Sequence, residues 1–252
     1  MSNLTGKIAI VTGGASGVGA SAVKLLAEQG ARVVVADLNY DKAKEVAESI
    51  NGIAFKTDVS REEDMRHLVE QTCKRLGGVD ILFNNAGVGF SSSNVYKMAS
   101  VVDTPVEAWD AILSINLKSV ALGCKYAIPV MKSRGGGSII NNASIQAIAG
   151  VSGADAYTAA KGGIVSLTRV LACDWGPSNI RVNCICPGPI ETPMISELLG
   201  DDEFFKAIVS PVPLGRPASA REIAEVAVFL AGPGSSYVNG AIIPVDGGWS
   251  AR

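Results

Sequence analysis

The stretch Ile8-Ala-Ile-Val-Thr-Gly-Gly-Ala-Ser-Gly-Val-Gly19 decides the fold of this chain. Its first residues, Ile8-Ala-Ile-Val11, are apolar and mostly β-branched, which predicts a strand buried on both faces. The glycines at 13, 17 and 19 would let the backbone turn tightly and let a diphosphate approach the amides that open the next helix. The order of strand, glycine-rich turn and helix predicts the first unit of a nucleotide-binding α/β fold.

The same alternation continues along the chain. Further buried strands are predicted at Arg32–Ala36, Ile81–Phe83, Ser138–Ile140, Ile180–Val182 and Ile242–Ile243. Helical periodicity covers Ala20–Gln29, Asp41–Ile50, Glu62–Leu76, Val106–Met131, Tyr157–Trp175 and Ala220–Leu230. This alternation predicts a parallel sheet with right-handed crossovers and helices on both faces. We therefore predict a single-domain, doubly wound α/β (Rossmann) fold over residues 1–252, with about seven strands.

Two long segments, residues 88–103 and 187–217, interrupt the alternation. Each is predicted to follow the carboxyl end of a strand, where doubly wound sheets bind their ligands. The second segment is interpreted as a substrate loop or lid. The first is open to three interpretations: a wall of the substrate pocket, an interface element or a neutral surface loop.

Composition excludes several classes of function. The net charge is −2, with acids and bases mixed along the sequence, so no basic stripe predicts binding of nucleic acid. No apolar run approaches the ~20 residues that span a bilayer, so no membrane partner is expected. The five cysteines contain no Cys-x-x-Cys motif and suit a reducing cytoplasm. Cys184 and Cys186 have no histidine nearby to complete a metal site, and we interpret them as core thiols.

Asp37 ends the second predicted strand, 18 residues after Gly19 (37 − 19). There its carboxylate could accept hydrogen bonds from an adenosine ribose and would repel a 2′-phosphate. No arginine or lysine stands at Ala15, Ser16 or Leu38 to compensate, so we predict NAD(H) as cofactor in preference to NADP(H). Asp58 and Val59 could cover the adenine, although Asp58 could equally cap a helix. The predicted cofactor contacts so far are Gly13, Ser16, Gly17, Val18, Gly19, Asp37, Leu38, Asp58 and Val59.

Tyr157 and Lys161 are four residues apart and share one face of the predicted helix. A lysine cation about 5 Å away, at an effective dielectric of about 20, would favour the phenolate by roughly 3 kcal/mol. The pKa of the phenol would then fall far enough for general acid–base chemistry near neutral pH. By itself, the pair could also be an aromatic ring packed on a lysine stem.

Taken together, ordered motifs across essentially the whole chain resemble the short-chain dehydrogenase/reductase family. Ser144 lies 13 residues before Tyr157 (157 − 144), the interval customary in that family. The other matching motifs are Thr12–Gly19, Asn84-Asn-Ala-Gly87, Asn116 within Ser114-Ile-Asn-Leu117, Tyr157-Thr-Ala-Ala-Lys161, Pro187-Gly188 with Ile190 and Thr192, and Asp246-Gly-Gly248.

The resemblance implies a role for each residue. Tyr157 would exchange a proton with the alcohol or ketone, and Ser144 would hold the reacting oxygen. Lys161 would lower the tyrosine pKa and hold the nicotinamide ribose, while Asn116 would anchor a water that links Lys161 to solvent. Substrate contacts would come from Ser144, Gln146 and Tyr157. Further cofactor contacts would come from Asn85, Ala86, Gly87, Tyr157, Lys161, Pro187, Gly188, Ile190 and Thr192. The resemblance also implies a homotetramer.

Three functions remain as hypotheses. The first is an NAD(H)-dependent oxidoreductase that interconverts a secondary alcohol and its ketone. Its pocket would be formed by Val88–Tyr96, Ser144–Ala149 and Pro189–Leu199, whose largely apolar side chains favour a neutral or weakly polar substrate. The second is a reductase of 3-oxoacyl thioesters on a carrier protein. The third is a non-catalytic nucleotide sensor or scaffold.

Overall fold

Seven parallel strands form one sheet in a computed structural model that describes residues 3–89, 96, 98–191, 206 and 209–251. The strand order is β3-β2-β1-β4-β5-β6-β9, and β7 pairs with β8 beside the sheet. The strands are β1 (Ile8–Thr12), β2 (Arg32–Asp37), β3 (Ile53–Lys56), β4 (Ile81–Asn84), β5 (Gly137–Asn142), β6 (Ile180–Pro187), β7 (Ile190–Glu191), β8 (Ala218–Ser219) and β9 (Ile242–Val245).

Helices connect these strands and cover both faces of the sheet. They are α1 (Gly17–Glu28), α2 (Tyr40–Glu48), α3 (Glu62–Leu76), α4 (Val106–Leu113), α5 (Ser119–Ser133), α6 (Asp155–Trp175) and α7 (Ala220–Ala231). The predicted doubly wound parallel sheet is therefore confirmed. The strand order reverses between β1 and β4, so the carboxyl ends of these two strands mark the switch point where ligands of such sheets bind.

The strand residues alternate between two hydrophobic clusters, one on each face of the sheet. On one face, Ala9 and Val11 pack with apolar residues of α1 and α7. On the other, Ile10 packs with apolar residues of α3, α5 and α6. Burial on both faces explains why the strands read as continuous apolar runs. Cys184 and Cys186 are fully buried in the second cluster, as predicted for core thiols.

A chain of buried amides ties the centre of the sheet to α6. Asn84 Nδ2 donates to Asn141 Oδ1 at 2.9 Å, and Asn141 Nδ2 donates to Thr168 Oγ1 at 2.9 Å. Each of these side chains is at most 4% exposed, so each polar group needs its partner inside the protein. These hydrogen bonds fix β4, β5 and α6 relative to one another near the carboxyl ends of the strands.

The predicted helix over Val106–Met131 differs from the structure in one respect. A π-helical turn, Ser114–Lys118, separates α4 from α5 and contains the buried Asn116. The Asn116 amide donates to the Ile112 carbonyl one turn earlier and also bonds the backbone of Val88. Turns of this type inside helices are frequent at functional sites. Periodicity alone could not locate this turn, because its cause is a contact with a distant loop.

One helical stretch among the described residues, Val106–Ser133, is long and apolar enough to cross a membrane by length and composition alone. Half of its apolar window is buried inside the fold. Its residues Ile112, Val120, Ala127 and Met131 belong to the hydrophobic core. The apolar character of the stretch is therefore explained by packing within this protein.

Candidate active site

A cavity of about 380 Å³ opens at the carboxyl ends of the central strands. This volume lies within the range typical of small-molecule sites. Most residues predicted for the site line it: Gly13, Ser16, Gly17, Val18, Asp37, Leu38, Asp58, Val59, Asn85, Ala86, Gly87, Asn116, Ser144, Tyr157, Lys161, Pro187 and Ile190. The structure thus brings together residues that are spread over more than half of the chain.

The glycine loop is packed too closely to accept side chains. Gly13 has φ +63°, and a Cβ there would lie 2.8 Å from the Ala86 Cα. A Cβ at Gly19 would lie 2.0 Å from the Gly13 carbonyl oxygen. Both positions therefore require glycine. Gly13 lines the cavity, whereas Gly19 is not among the lining residues and serves the packing of the loop itself.

The N-terminus of α1 faces this cavity without a side-chain cap. Its N-cap residue, Ser16, makes no capping hydrogen bond, and the first turn holds no acidic residue. By contrast, Asn39 caps α2 and Ser219 caps α7 through their side chains. An uncapped helix N-terminus presents free N–H groups and a partial positive charge. These features fit the diphosphate of a dinucleotide.

Asn85 fixes the loop against β1. Its Nδ2 donates to the carbonyls of Thr12 and Gly13, each at 3.1 Å. The Thr12 hydroxyl in turn accepts from the backbone N–H groups of Asn85 and Ala86 at 3.0 and 3.1 Å. The glycine turn and the Asn-Asn-Ala-Gly segment are consequently one hydrogen-bonded unit, which preorganises this wall of the cavity.

Asp37 lines the cavity next to the glycine loop. Its Oδ2 accepts from the Ala15 N–H at 3.1 Å and its Oδ1 accepts from the Asn39 N–H at 2.9 Å. These bonds hold the carboxylate beside the glycine loop. Among the described lining residues, Lys161 is the only cation, so none of them would compensate a 2′-phosphate placed near Asp37.

Tyr157 projects from the first turns of α6 into the same cavity as Ser144. Burial raises the pKa of Tyr157 to about 12, and a hydrogen bond with the Ser144 side chain acts in the opposite direction. Ser144 also accepts from the Gln146 N–H at 3.2 Å, so it caps the short 3₁₀ turn that follows β5. Ser144 therefore both caps this turn and contacts Tyr157.

Lys161 is 4% exposed, and its Nζ donates to the backbone carbonyl of Asn142 at 2.8 Å. Burial lowers the pKa of Lys161 to about 8. In the protein chain alone the pKa of Tyr157 lies above its ordinary value, and burial of the phenol is the largest cause. That Lys161 lowers this pKa stays a prediction. Spacing on a helix predicted the proximity of the two groups, but it carried no information on their burial.

Asn116 clamps the loop after β4. Its Oδ1 accepts from the Val88 N–H at 3.2 Å, and its Nδ2 donates to the Val88 carbonyl at 3.0 Å. A Cβ at Gly87 would lie 2.7 Å from Asn116 Oδ1 and 3.5 Å from Lys161 Nζ. Glycine at 87 therefore lets the asparagine and the lysine approach the same stretch of backbone.

Several predicted contacts have other positions. Gly188 is not among the lining residues, and a Cβ there would lie 2.9 Å from the Asp246 Cα, so it allows the C-terminal turn to pack closely. Gln146 is buried, does not line the cavity, and accepts from the Thr158 hydroxyl at 3.4 Å. Thr192 lies outside the described residues. Asp58 accepts from Ser60 and does not cap α3, whose N-cap is Arg61.

The predicted substrate pocket is described only in part. Val88, Tyr96, Ser144 and Ile190 line the cavity, whereas Pro189 and the other residues of 144–149 do not. Residues 90–95 and 192–199 of the predicted walls lie outside the described part of the chain. Lining residues that the motifs did not indicate are Thr57, Ile115, Asn142 and Ala143. Their positions immediately after β3, beside Asn116 and at the end of β5 were the signal that could have identified them.

The described part of the 88–103 segment contacts the catalytic helix. Met98 and Tyr157 both pack against a small hydrophobic cluster of Ile112, Ala156 and Ala160. Asp155, in the first turn of α6, accepts from the Val101 N–H at 2.6 Å and donates its own N–H to the Ala99 carbonyl at 3.3 Å. The segment is therefore anchored two residues before Tyr157.

Comparison with known proteins agrees with this site. A family model described as enoyl-(acyl carrier protein) reductase matches residues 13–250. The solved structure of a levodione reductase superposes with a TM-score of 0.93 at 32% identity, covering 99% of each chain.

Two similar relatives are enzymes that act on hydroxyl groups. A 2,5-dichloro-2,5-cyclohexadiene-1,4-diol dehydrogenase of Sphingobium indicum is 38% identical and covers 100% of both chains. A trans-4-hydroxycyclohexanecarboxylate dehydrogenase of Sinomonas cyclohexanicum is 39% identical over 97% of this chain and 93% of its own. The chain is thus an oxidoreductase acting on CH–OH groups with a nicotinamide cofactor. With its glycine loop, its Ser144–Tyr157–Lys161 constellation and this match, it belongs to the short-chain dehydrogenase/reductase family.

Proposed function

We propose that this protein is an NAD(H)-dependent oxidoreductase that interconverts a secondary alcohol and its ketone, with Tyr157 as general acid and base. The observation that carries the proposal is that one cavity holds Ser144, Tyr157 and Lys161 together with the carboxylate of Asp37. Bound there, a nicotinamide dinucleotide would supply the hydride acceptor or donor.

Ser144 and Tyr157 would act on the oxygen of the substrate. The Ser144 hydroxyl, held at the end of β5, would hydrogen-bond this oxygen and stabilise charge as it develops. In ketone reduction the neutral phenol of Tyr157 donates its proton to that oxygen. Burial supports this acid form, since it raises the pKa of Tyr157 to about 12. In alcohol oxidation the phenolate would take the hydroxyl proton.

Lys161 and Asn116 would support the proton transfer. The Lys161 ammonium lies 5.5 Å from the centre of the Tyr157 ring and would stabilise the phenolate when it forms. Because burial lowers the pKa of Lys161 to about 8, the lysine can release and regain a proton near neutral pH. Asn116 holds the Val88 backbone beside it, and we propose that the π-helical turn frees a route for water to Lys161.

NAD(H) is the proposed cofactor in preference to NADP(H). The Asp37 carboxylate is held by two backbone N–H groups at the edge of the cavity, where it could accept from ribose hydroxyls. A 2′-phosphate in the same place would meet a like charge, and the one cation among the described lining residues, Lys161, binds the Asn142 carbonyl instead.

A six-membered ring alcohol is the proposed substrate class. The described walls include Val88, Tyr96, Ile115 and Ile190, which offer apolar surface, and Lys161 is the only cation among the described lining residues. The two relatives at 38% and 39% identity are named for ring alcohols, one a diol and the other a carboxylate. Apolar walls of this kind favour burial of the ring.

Turnover of a small alcohol panel tests the proposal. Cyclohexanol, an open-chain secondary alcohol and a polyol would each be assayed with NAD and with NADP, following nicotinamide absorbance. We expect the highest kcat/KM for cyclohexanol with NAD. Absence of turnover with every alcohol and every corresponding ketone would contradict the proposal and favour the non-catalytic sensor.

A carrier-protein substrate is the second candidate, because the matching family model is described as an acyl carrier protein reductase. Such an acidic carrier would be expected to dock on a basic surface, whereas this chain has a net charge of −2. Adding acetoacetyl-coenzyme A with NADPH to the panel separates the two. Preferred use of that pair would replace the ring-alcohol proposal.

We further propose a homotetramer in which a second copy covers a groove between α5 and α6. The groove is apolar and is lined by Ile128, Leu167, Leu171 and Trp175 among others. Burial of such a surface is typical of obligate subunit contacts. Light scattering should give four times the chain mass of 26.0 kDa, and Leu171→Asp should reduce the assembly. A monomer in the wild-type protein would contradict this proposal.

A further inference from the structure

Asn142, at the end of β5, is hydrogen-bonded to two other residues that line the cavity, Asn85 and Lys161. Its side-chain Nδ2 donates to Asn85 Oδ1 at 3.0 Å. Its backbone carbonyl accepts from Lys161 Nζ at 2.8 Å. Asn85 in turn binds the glycine loop. One residue therefore joins the diphosphate-binding turn to the lysine of the catalytic helix.

The hydrogen bonds fix which way both amides point. Asn85 Nδ2 faces the carbonyls of Thr12 and Gly13, each at 3.1 Å. Carbonyl oxygens only accept, so the Asn85 NH₂ must face them and its Oδ1 must face Asn142. An oxygen in that position requires Asn142 to present its own NH₂. The Oδ1 of Asn142 is consequently the atom directed away from this bridge.

Among the described residues, none donates a hydrogen bond to Asn142 Oδ1, although this atom is buried. It is the only buried side-chain nitrogen or oxygen in the described part of the chain for which this holds. Leaving such an acceptor unsatisfied is costly, and buried polar atoms in proteins almost always have partners. Asn142 lines the cavity, so a group bound beside it is the candidate for the missing donor.

The neighbouring ammonium narrows the chemistry of this donor. Lys161 Nζ is only a donor, so a group that lies beside both Lys161 and Asn142 Oδ1 must accept from one and donate to the other. A hydroxyl does both. A diphosphate has no hydrogen to donate. A carboxamide also does both, because it accepts through its oxygen and donates through its nitrogen, so the test must separate it from a hydroxyl. The adenine-side hydroxyls belong near Asp37 in the proposed function.

We propose that Asn142 Oδ1 accepts a hydrogen bond from a hydroxyl of the nicotinamide-side ribose, which makes Asn142 a cofactor-binding residue. This inference rests on the proposed function, since it needs a dinucleotide in the cavity. Asn142 would then bind the nicotinamide-side ribose directly. Its hydrogen bond to Asn85 would help to hold the glycine loop, which binds the diphosphate, in position.

Calorimetric binding of ADP and ADP-ribose tests the inference without any turnover. ADP occupies the glycine loop but lacks the second ribose, which ADP-ribose carries. The ratio of the two affinities would be compared in the wild-type protein, Asn142→Leu and Asn142→Ala. We expect the affinity for ADP-ribose relative to that for ADP to fall about three- to tenfold in both variants, the usual effect of one hydrogen bond. Any weakening that both ligands share would report the lost contact with Asn85.

Each other result overturns the inference. If ADP and ADP-ribose weaken equally, Asn142 acts only by holding Asn85 and the glycine loop. If neither weakens, an ordered water or the nicotinamide carboxamide, which ADP-ribose lacks, is the partner of Oδ1. ADP binding and a thermal melt report on folding, and Asn142→Ala decides the question if Asn142→Leu does not fold. Failure of the wild-type chain to bind either ligand would refute the proposed function itself.

Discussion

The Nζ of Lys161 lies 5.5 Å from the centre of the Tyr157 ring, one turn further along α6, where Lys161 is buried and Tyr157 is partly buried. Burial acts on them in opposite directions, because it disfavours the charged form of each. It raises the pKa of Tyr157 to about 12 and lowers the pKa of Lys161 to about 8. In the protein chain alone, Tyr157 is therefore a neutral phenol, and the charge on Lys161 lowers the stability of the folded state.

Replacing Lys161 by methionine should stabilise the cofactor-free protein at pH 7. Burial lowers the pKa of Lys161 from an ordinary 10.5 to about 8. This shift means that burial disfavours the charged lysine by roughly 3 kcal/mol. Methionine also loses the hydrogen bond to the Asn142 carbonyl, which offsets about 1 kcal/mol of this gain in stability. We expect a net gain of about 1–2 kcal/mol in the free energy of unfolding, measured by urea denaturation, together with loss of turnover.

The pH dependence gives this prediction a distinct signature. Between pH 8 and 10.5 the unfolded state binds more protons at Lys161 than the folded state. Wild-type stability therefore gains from this group as pH rises through that window, and the advantage of Lys161→Met should shrink. Lys24→Met, at an exposed site on α1, is the control and should show no such trend. An equal or lower stability of Lys161→Met at pH 7 would contradict the argument.

Tyr157→Phe should lower kcat by about 10²–10⁴-fold, the usual contribution of a general acid or base. Phenylalanine keeps the ring packing, so the affinity for NADH, measured by fluorescence titration, should stay within about threefold of the wild type. Tyr126→Phe is the matched control, because the Tyr126 hydroxyl contacts Glu62 on the surface, 2.7 Å away. Wild-type turnover in Tyr157→Phe would exclude the proposed mechanism.

Most of the architecture could be predicted from the sequence, because strands that are buried on both faces consist of continuous apolar residues. Continuous apolar runs located β1 and β2, and the glycine spacing located the turn between β1 and α1. The π-helical turn at Asn116 could not be predicted, since it depends on a contact with Val88 across the cavity. The bridge from Asn142 to Asn85 joins residues 57 positions apart and carries no local pattern.

Asp37→Asn should shift the cofactor preference toward NADP(H). The amide can retain hydrogen bonding to the loop through its oxygen, while the charge that repels a 2′-phosphate is removed. We expect the NAD/NADP ratio of kcat/KM to fall by about tenfold or more, and further when Leu38→Arg adds a cation at the exposed neighbour. Asp41→Asn, an exposed acid in the first turn of α2, should leave the ratio unchanged.

Met98 tests whether the 88–103 segment is part of the active site. Its side chain and that of Tyr157 pack against the same hydrophobic cluster, and the segment is anchored to α6 through the bond from the Val101 N–H to Asp155 at 2.6 Å. Met98→Ala would loosen the packing of the cluster that also supports the tyrosine ring. Since small displacements of a catalytic group are costly, we expect kcat/KM for the preferred alcohol to fall about tenfold, with NADH affinity unchanged.

Val102 provides the control on the same segment, because its side chain is 89% exposed. If residues 88–103 formed only a neutral surface loop, Met98→Ala and Val102→Ala would have the same small effect on kcat/KM. If they formed only a subunit interface, both variants would change the assembly seen by light scattering and leave kcat/KM intact. A loss of kcat/KM confined to Met98→Ala, with unchanged assembly, is the result that a pocket wall requires, because Met98 packs against the same cluster as the catalytic tyrosine.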